Sequence, residues 1–117
     1  MIFAFETDAQ TLDVFSDETA AISYCEGIDV ANGIWIFWDD EGIPLLVEFT
    51  VPNKREGLWL TNGTYHLAPN PEITQTPLLE ALEHIVAING QPPFNTVSAI
   101  KQYLTSRSRK TPIQTAL

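Results

Sequence analysis

The chain has 117 residues, of which 44% are apolar, and its 15 carboxylates against six basic side chains give a net charge of −9. An apolar content close to that of ordinary globular domains excludes a disordered acidic tail, and the length fits one domain with its own core. The negative charge argues against binding to nucleic-acid phosphates or to anionic membrane surfaces, because like charges would be brought together.

Charge is distributed unevenly along the chain. Residues 1–53 contain eleven carboxylates and no Lys or Arg, a formal charge of −11, whereas residues 54–117 contain four carboxylates and six bases, a formal charge of +2. A folded surface usually mixes both signs, so a long single-sign segment repels itself. Such a segment also creates a negative field that attracts and steers a basic partner. The pattern therefore predicts a binder of a basic protein, and solubility alone is the alternative interpretation.

Two short strands and a helix are predicted first. Residues 2–6 form an apolar, aromatic run and residues 12–15 a second one, which is typical of strands. The segment 16–19 (SDET) has the composition of a helix N-terminus, with negative charge where the helix dipole favours it. The apolar spacing then predicts a helix over 17–26, with Gly27 as its stop.

The central block is predicted to be a β meander. Residues 34–38 are apolar at every position, so both faces of that strand should be covered. Asp and Gly residues at 39–42 predict a tight turn into an alternating strand over 45–50. The segment 58–67 then predicts a hairpin with Asn62-Gly63 as its turn.

Two helices are predicted in the last third. Thr76-Pro77 provides an N-terminal cap and first position for a helix over 77–89, which Gly90 ends. Thr96 caps another helix whose apolar residues continue to Leu104.

The predicted fold class is α+β: one domain over residues 1–106, an antiparallel β-sheet meander with about three helices. Residues 107–117 are polar, basic and without periodicity, so they are predicted to be a flexible basic tail. The single cysteine, Cys25, allows no intramolecular disulfide, which fits a reducing cytosol. The first ten residues lack the basic region of a secretory signal, and the longest apolar runs are strand-sized, so a cytoplasmic location is expected.

Candidate catalytic and metal-binding residues are few. Cys25 could act as a nucleophile with His66 as its base, but the adjacent Glu26 would raise the thiol pKa, and a buried small apolar residue is the preferred interpretation. Glu80 and His84 could share a metal with a third ligand, although a surface pair is the simpler interpretation. We therefore expect no catalytic residue, no metal and no cofactor.

The acidic turn Asp39-Asp40-Glu41 could also be a cation loop. It lacks the regular alternation of oxygen ligands found in calcium loops, so a solvated turn or a contact for a basic partner is preferred.

Aromatic residues are concentrated in the meander: Trp35, Phe37, Trp38, Phe49, Trp59 and Tyr65. Strand alternation sends Trp35 and Phe37 to one face and Trp38 to the other. An aromatic patch with carboxylates around it would suit protein binding, while ordinary core is the expectation for any single Trp.

The order of these segments resembles a known family. An aromatic first strand is followed by YCEGIDV (24–30), GIWIFWDDEGIPL (33–45), FTVPN (49–53) and NGTYHL (62–67). Over roughly residues 1–70 this resembles the small acidic immunity proteins of bacterial contact-dependent growth inhibition systems. The resemblance implies a cytosolic protein that binds a toxin domain delivered by a neighbouring cell, commonly a nuclease, and covers its active site.

Three acidic segments are predicted to contact the basic partner: Asp39, Asp40 and Glu41 with Trp38 as an anchor; Asp17 and Glu18; and the loop from Glu26 to Asp29. They belong to the base-free segment and lie in turns or at helix ends. Reversal of the charges at Asp39 and Asp40 is expected to leave folding nearly intact.

The function predicted is a non-enzymatic inhibitor of a cognate toxin nuclease, with an RNase favoured over a DNase. A small hydrolase or transferase using Cys25 or His66, and a structural adaptor whose acidity serves solubility, stay as alternatives. Oligomeric state and strand order are left open.

Overall fold

The computed structural model describes residues 1–69 and 76–115, with side chains as far as residue 107. It confirms the α+β class. The strands within these residues are β1 (Ile2–Glu6), β2 (Thr11–Phe15), β3 (Trp35–Trp38), β4 (Leu45–Val51), β5 (Lys54–Glu56), β6 (Trp59–Thr61), β7 (Thr64–Pro69) and β8 (Ala87–Asn89). The helices are α1 (Glu18–Tyr24), α2 (Gly27–Ala31), α3 (Leu78–Ala81), which a 3₁₀ turn (Leu82–His84) follows, and α4 (Val97–Thr115).

The main sheet has four strands in the order β3-β1-β2-β8. Strand β1 pairs antiparallel with β2 and β3, and β8 pairs parallel with β2. Successive side chains of a strand point to opposite faces, and both faces of β1 are buried. The central strand therefore divides two hydrophobic clusters.

One cluster is built from α1, α2 and the β4–β7 pair against the main sheet. Its buried members are Ile2, Ala4, Ala21, Cys25, Val30, Trp35, Phe37, Leu45 and Tyr65. The other cluster is closed by α3, the 3₁₀ turn and α4, and its buried members are Phe3, Leu12, Trp38, Leu78, Leu82, Ile100 and Leu104. The alternation predicted for β3 is thus confirmed, with Trp35 and Phe37 in the first cluster and Trp38 in the second.

Strand pairing in the central block differs from the prediction. Strand β7 pairs with β4, and β6 pairs with β5 in a separate two-stranded hairpin. That hairpin turns at Gly57, whose φ of +60° suits glycine, and not at Asn62-Gly63. Gly63 instead crosses the chain so closely that a Cβ there would lie 2.0 Å from the Val51 carbonyl oxygen. Glycine at position 63 therefore permits two backbone segments to approach closely. The Asn-Gly dipeptide alone does not distinguish this role from a hairpin turn.

The helix predicted over 17–26 is shorter, and a second helix follows it. Asp17 is the N-cap of α1, accepting a 2.8 Å hydrogen bond at Oδ1 from the Ala20 N–H. Gly27 begins α2 and does not stop α1. A Cβ at Gly27 would lie 2.7 Å from Asn53 Oδ1, so this glycine too permits a close approach.

The helix predicted over 77–89 ends at His84, and residues 87–89 form β8. The Val86 N–H donates a 2.8 Å hydrogen bond to the Gln10 carbonyl, which leads the chain onto the free edge of β2. Helix α4 continues to Thr115, whereas the sequence pattern predicts its end near residue 106. The flexible tail over 107–117 stays a prediction, and residues 116–117 lie outside the described part.

Candidate protein-binding surface

The sheet register brings two of the three predicted acidic segments to the same end of the main sheet. Phe3 is paired with Trp38 and Ile2 with Phe15. The start of β1 therefore lies beside the ends of β2 and β3, because β1 is antiparallel to both. The turn 39–42 follows β3 there, and the N-terminus of α1 follows β2.

The acids of the 39–42 turn have different environments. Asp39 Oδ1 accepts hydrogen bonds from the backbone N–H groups of Glu41 (2.9 Å) and Ile43 (3.0 Å), so this carboxylate builds the turn. Asp40 pairs with Arg107 at 3.0 Å. Glu41 is exposed, and its carboxylate forms no hydrogen bond or ion pair with the described residues. The predicted turn is confirmed, and Glu41 is the carboxylate of this turn without a partner among the described residues.

Trp38 does not provide the exposed anchor that the sequence suggested. Its side chain is 2% exposed and belongs to the second cluster. Its indole N–H donates a 2.9 Å hydrogen bond to the Thr76 carbonyl. The buried position follows from strand alternation, which turns Trp38 towards α3 and α4.

The α1 acids also hold structure together. Asp17 is exposed but caps the helix, and Glu18 Oε2 accepts a 2.8 Å hydrogen bond from the Leu67 N–H, which ties α1 to β7. Their negative charge still faces solvent in part.

The segment from Glu26 to Asp29, predicted to be a loop, is the N-cap and first turn of α2, and it lies beside the base of the β5–β6 hairpin. Asn62 Oδ1 accepts from the Ile28 N–H at 2.9 Å, and Asn62 Nδ2 donates to Glu26 Oε2 at 3.4 Å. Asn53 Nδ2 donates to the Gly27 carbonyl at 3.0 Å. Two asparagines therefore fix the hairpin base against the start of α2.

The β5–β6 hairpin carries the most exposed apolar side chains of the described residues. Leu58 is 100% exposed and Trp59 80%, and Leu60 is more than half exposed. The two strands pair with each other and with no other strand in the described part of the chain. Three large apolar residues in sequence thus stand in solvent on a hairpin whose base contacts Glu26.

Sequence reasoning did not single out Trp59, which it grouped with the core aromatics. The signal that could have identified it is the facing strand, Lys54–Glu56, which is charged at all three positions. A hairpin with one fully charged strand offers no apolar face to the core, so its Trp has nowhere to be buried.

Cys25 is buried, as expected from the sequence. Burial first, and then the carboxylates of Asp13, Asp29 and Glu6, raise the pKa of the thiol to about 12. The thiol is therefore protonated at neutral pH and a poor nucleophile. His66, the base in that hypothesis, is an exposed residue of β7, and its Nε2 lies 2.8 Å from Glu48 Oε1.

A cavity of about 490 Å³ opens beside the second cluster. Its walls are Phe5, Ile36, Trp38 and Ala81, with Thr7, Gln10, Thr76 and His84 as polar lining. No carboxylate of the three predicted segments lines it. The cavity is therefore separate from the acidic surface.

Neither clustered metal ligands nor a membrane-spanning helix is found in the part of the chain that the structure describes. No group of three His, Cys, Asp or Glu side chains there is arranged to hold a metal ion. Nor does any helix within those residues combine the length and apolar character needed to cross a bilayer.

Comparison of the chain with protein-family models, with curated proteins and with solved structures finds no match.

Proposed function

We propose that this protein is a cytoplasmic immunity protein that binds and blocks a basic toxin domain, a nuclease, with an RNase favoured over a DNase. It acts by occupying a surface of the toxin and performs no chemistry of its own.

The observation that carries the proposal is the uncompensated charge of residues 1–53. Eleven carboxylates lie in this segment. Among the described side chains, ion pairs reach only two of them, Asp40 with Arg107 and Glu48 with His66. One more, Asp13, is buried beside Asn89. The other eight carboxylates have no ion-pair partner among the described side chains, and Asp17, Glu18 and Asp39 keep their charge while accepting backbone hydrogen bonds.

A nuclease active site is basic because it binds phosphates, so an acidic surface is complementary to it. The field would steer association above the unsteered range of about 10⁵–10⁶ M⁻¹s⁻¹. Raised salt should slow association and weaken the complex, because exposed charges are screened. An adaptor whose acidity serves solubility would associate independently of salt.

The test is co-expression with the product of the neighbouring gene, followed by a nuclease assay of the purified complex. We expect a basic toxin domain that copurifies with this protein and loses activity in its presence. A neighbour that encodes no toxin, together with no basic protein captured, would remove the proposal.

A matched pair of charge variants locates the effect. Glu26→Lys with Glu41→Lys changes the base-free segment, whereas Glu80→Lys with Glu83→Lys makes the same change in charge at exposed positions outside it. We expect the first double variant to bind the toxin domain more slowly and with a smaller salt dependence than the second.

A further inference from the structure

We propose that the β5–β6 hairpin inserts Trp59, with Leu58 at its tip, into an apolar pocket on the basic partner. This inference rests on the proposed function and names the side chains that hold the complex together.

The hairpin has the properties of an element that is completed by a partner. Leu58 is 100% exposed and Trp59 80%. A solitary two-stranded hairpin is marginally stable in water, so an apolar contact on its outer side would stabilise it. Trp is the residue type most enriched among binding hot spots, and burial of one aromatic side chain removes about 150–250 Å² from water.

The hairpin is presented in a defined position. Asn53 and Asn62 bind its base to the backbone of Gly27 and Ile28. The same contacts place Glu26 next to that base, with Asn62 Nδ2 3.4 Å from Glu26 Oε2. An apolar tip and an acidic base therefore form one surface, and their arrangement is set before the partner arrives.

The charge distribution favours a basic protein as the partner of the hairpin, over a second copy of this chain or an anionic lipid surface. On the hairpin itself Lys54 pairs with Glu56 at 2.7 Å, which leaves Arg55 as its single further charge. The body beside it carries the excess of acids. A second copy would bring two molecules of charge −9 together, and anionic lipid headgroups would be repelled. A basic partner gains from the apolar tip and from the acids of the body, and Arg55 is the one hairpin charge that opposes it.

The two parts should affect different rate constants. Removal of the Trp59 side chain deletes contacts made after docking, so dissociation should be faster. Removal of the charge at Glu26 weakens the steering field, so association should be slower. An apolar anchor surrounded by acids therefore predicts faster dissociation for the Trp59 variant and slower association for the Glu26 variant.

The experiment measures binding of the purified domain encoded by the neighbouring toxin gene to wild type, Trp59→Ala, and Val86→Ala as control. Val86 is also 75% exposed but lies next to β8. We expect Trp59→Ala to weaken the complex about 30-fold or more, mainly through dissociation, and Val86→Ala to bind like wild type. Circular dichroism should be the same for all three proteins.

Any of the following results would overturn the inference. If the toxin domain binds Trp59→Ala as tightly as wild type, the hairpin is not the anchor, and the proposed function stands. A dimer in sedimentation velocity that Trp59→Ala abolishes would assign the hairpin to a second copy. Binding to phospholipid vesicles that depends on Trp59 would assign it to a membrane. If the toxin domain does not bind wild type at all, the proposed function fails and this inference with it.

Discussion

The side-chain amide of Asn53 donates a 3.0 Å hydrogen bond to the carbonyl of Gly27, 26 residues earlier in the chain. The Oδ1 atom of the same side chain accepts a 2.7 Å hydrogen bond from the Gly63 N–H. One half-buried residue thus joins the start of α2 to both strands at the hairpin base. Since backbone groups inside a fold need partners, this side chain contributes to stability as well as to position.

Asn53→Ala should lower the free energy of unfolding by about 2 kcal/mol, because two backbone groups lose their partner. Urea denaturation followed by far-UV circular dichroism measures the change. Asn95→Ala serves as the control, since Asn95 is exposed. Equal stability of the two variants would show that the Asn53 contacts contribute nothing.

Asp39→Ala should destabilise the protein by about 1–2 kcal/mol, because two N–H groups of the turn lose their acceptor. Glu41→Ala, in the same turn, should have no effect on chemical denaturation. The expectation that reversal of Asp39 and Asp40 leaves folding nearly intact is accordingly revised. Glu41 is the position of this turn at which charge can be changed without disturbing the fold.

Cys25 should resist thiol reagents in the native protein, because its side chain is buried and its pKa is raised to about 12. Labelling with Ellman's reagent at pH 8 should be slow in buffer and complete within seconds to minutes in 8 M urea. A Cys25→Ala variant with Ser23→Cys provides an exposed thiol on α1 for comparison. Rapid native labelling of wild type would restore Cys25 as a candidate nucleophile.

Asp13 should make stability fall as the pH rises. Burial raises the pKa of this carboxyl above its ordinary value of 3.8, and the hydrogen bond from Asn89 opposes the rise. The native state then holds the proton more tightly than the unfolded state, so stability decreases as the pH climbs from 3.8 through the native pKa and stays lower above it.

Asp13→Asn removes this titration while keeping a polar side chain opposite Asn89. The difference in unfolding free energy between variant and wild type should therefore move in favour of the variant between pH 4 and pH 7. Urea titrations of both proteins at several pH values measure it. A difference that is independent of pH would mean that Asp13 has the same pKa in the folded and unfolded states.

Local patterns predicted what depends on local physics. The alternation of β3 follows from its apolar run, and the 39–42 turn follows from Asp and Gly chemistry. The pairing of β4 with β7 could not be predicted in this way. Asn62-Gly63 is typical of a hairpin turn, but here Asn62 accepts a hydrogen bond from Ile28, 34 residues away in the sequence. Likewise, the apolar spacing over 85–88 suits a helix or a strand, and only the free edge of β2 decides between them.

The candidate surface shows the same division. Exposure of Glu41 could be predicted from its place in a turn, and exposure of Glu26 from its place just after the first predicted helix. Trp38 and Trp59 could not be ranked by expected burial, since each directly follows an apolar residue in a strand-like segment. Their difference in burial depends on which strand lies beside each: β1 packs the β3 strand into the core, while β5 gives Trp59 only charged neighbours.

The second hydrophobic cluster has a consequence for synthesis of the chain. Its members on the main sheet come from residues 3–38, whereas those that cover them come from residues 78–104. A nascent chain that has emerged only through β7 would expose Phe3, Leu12 and Trp38 on an open sheet face. This sheet face is thus covered only when the last third of the chain has been made, and the long sequence separation of its contacts favours slow, late folding of the second cluster.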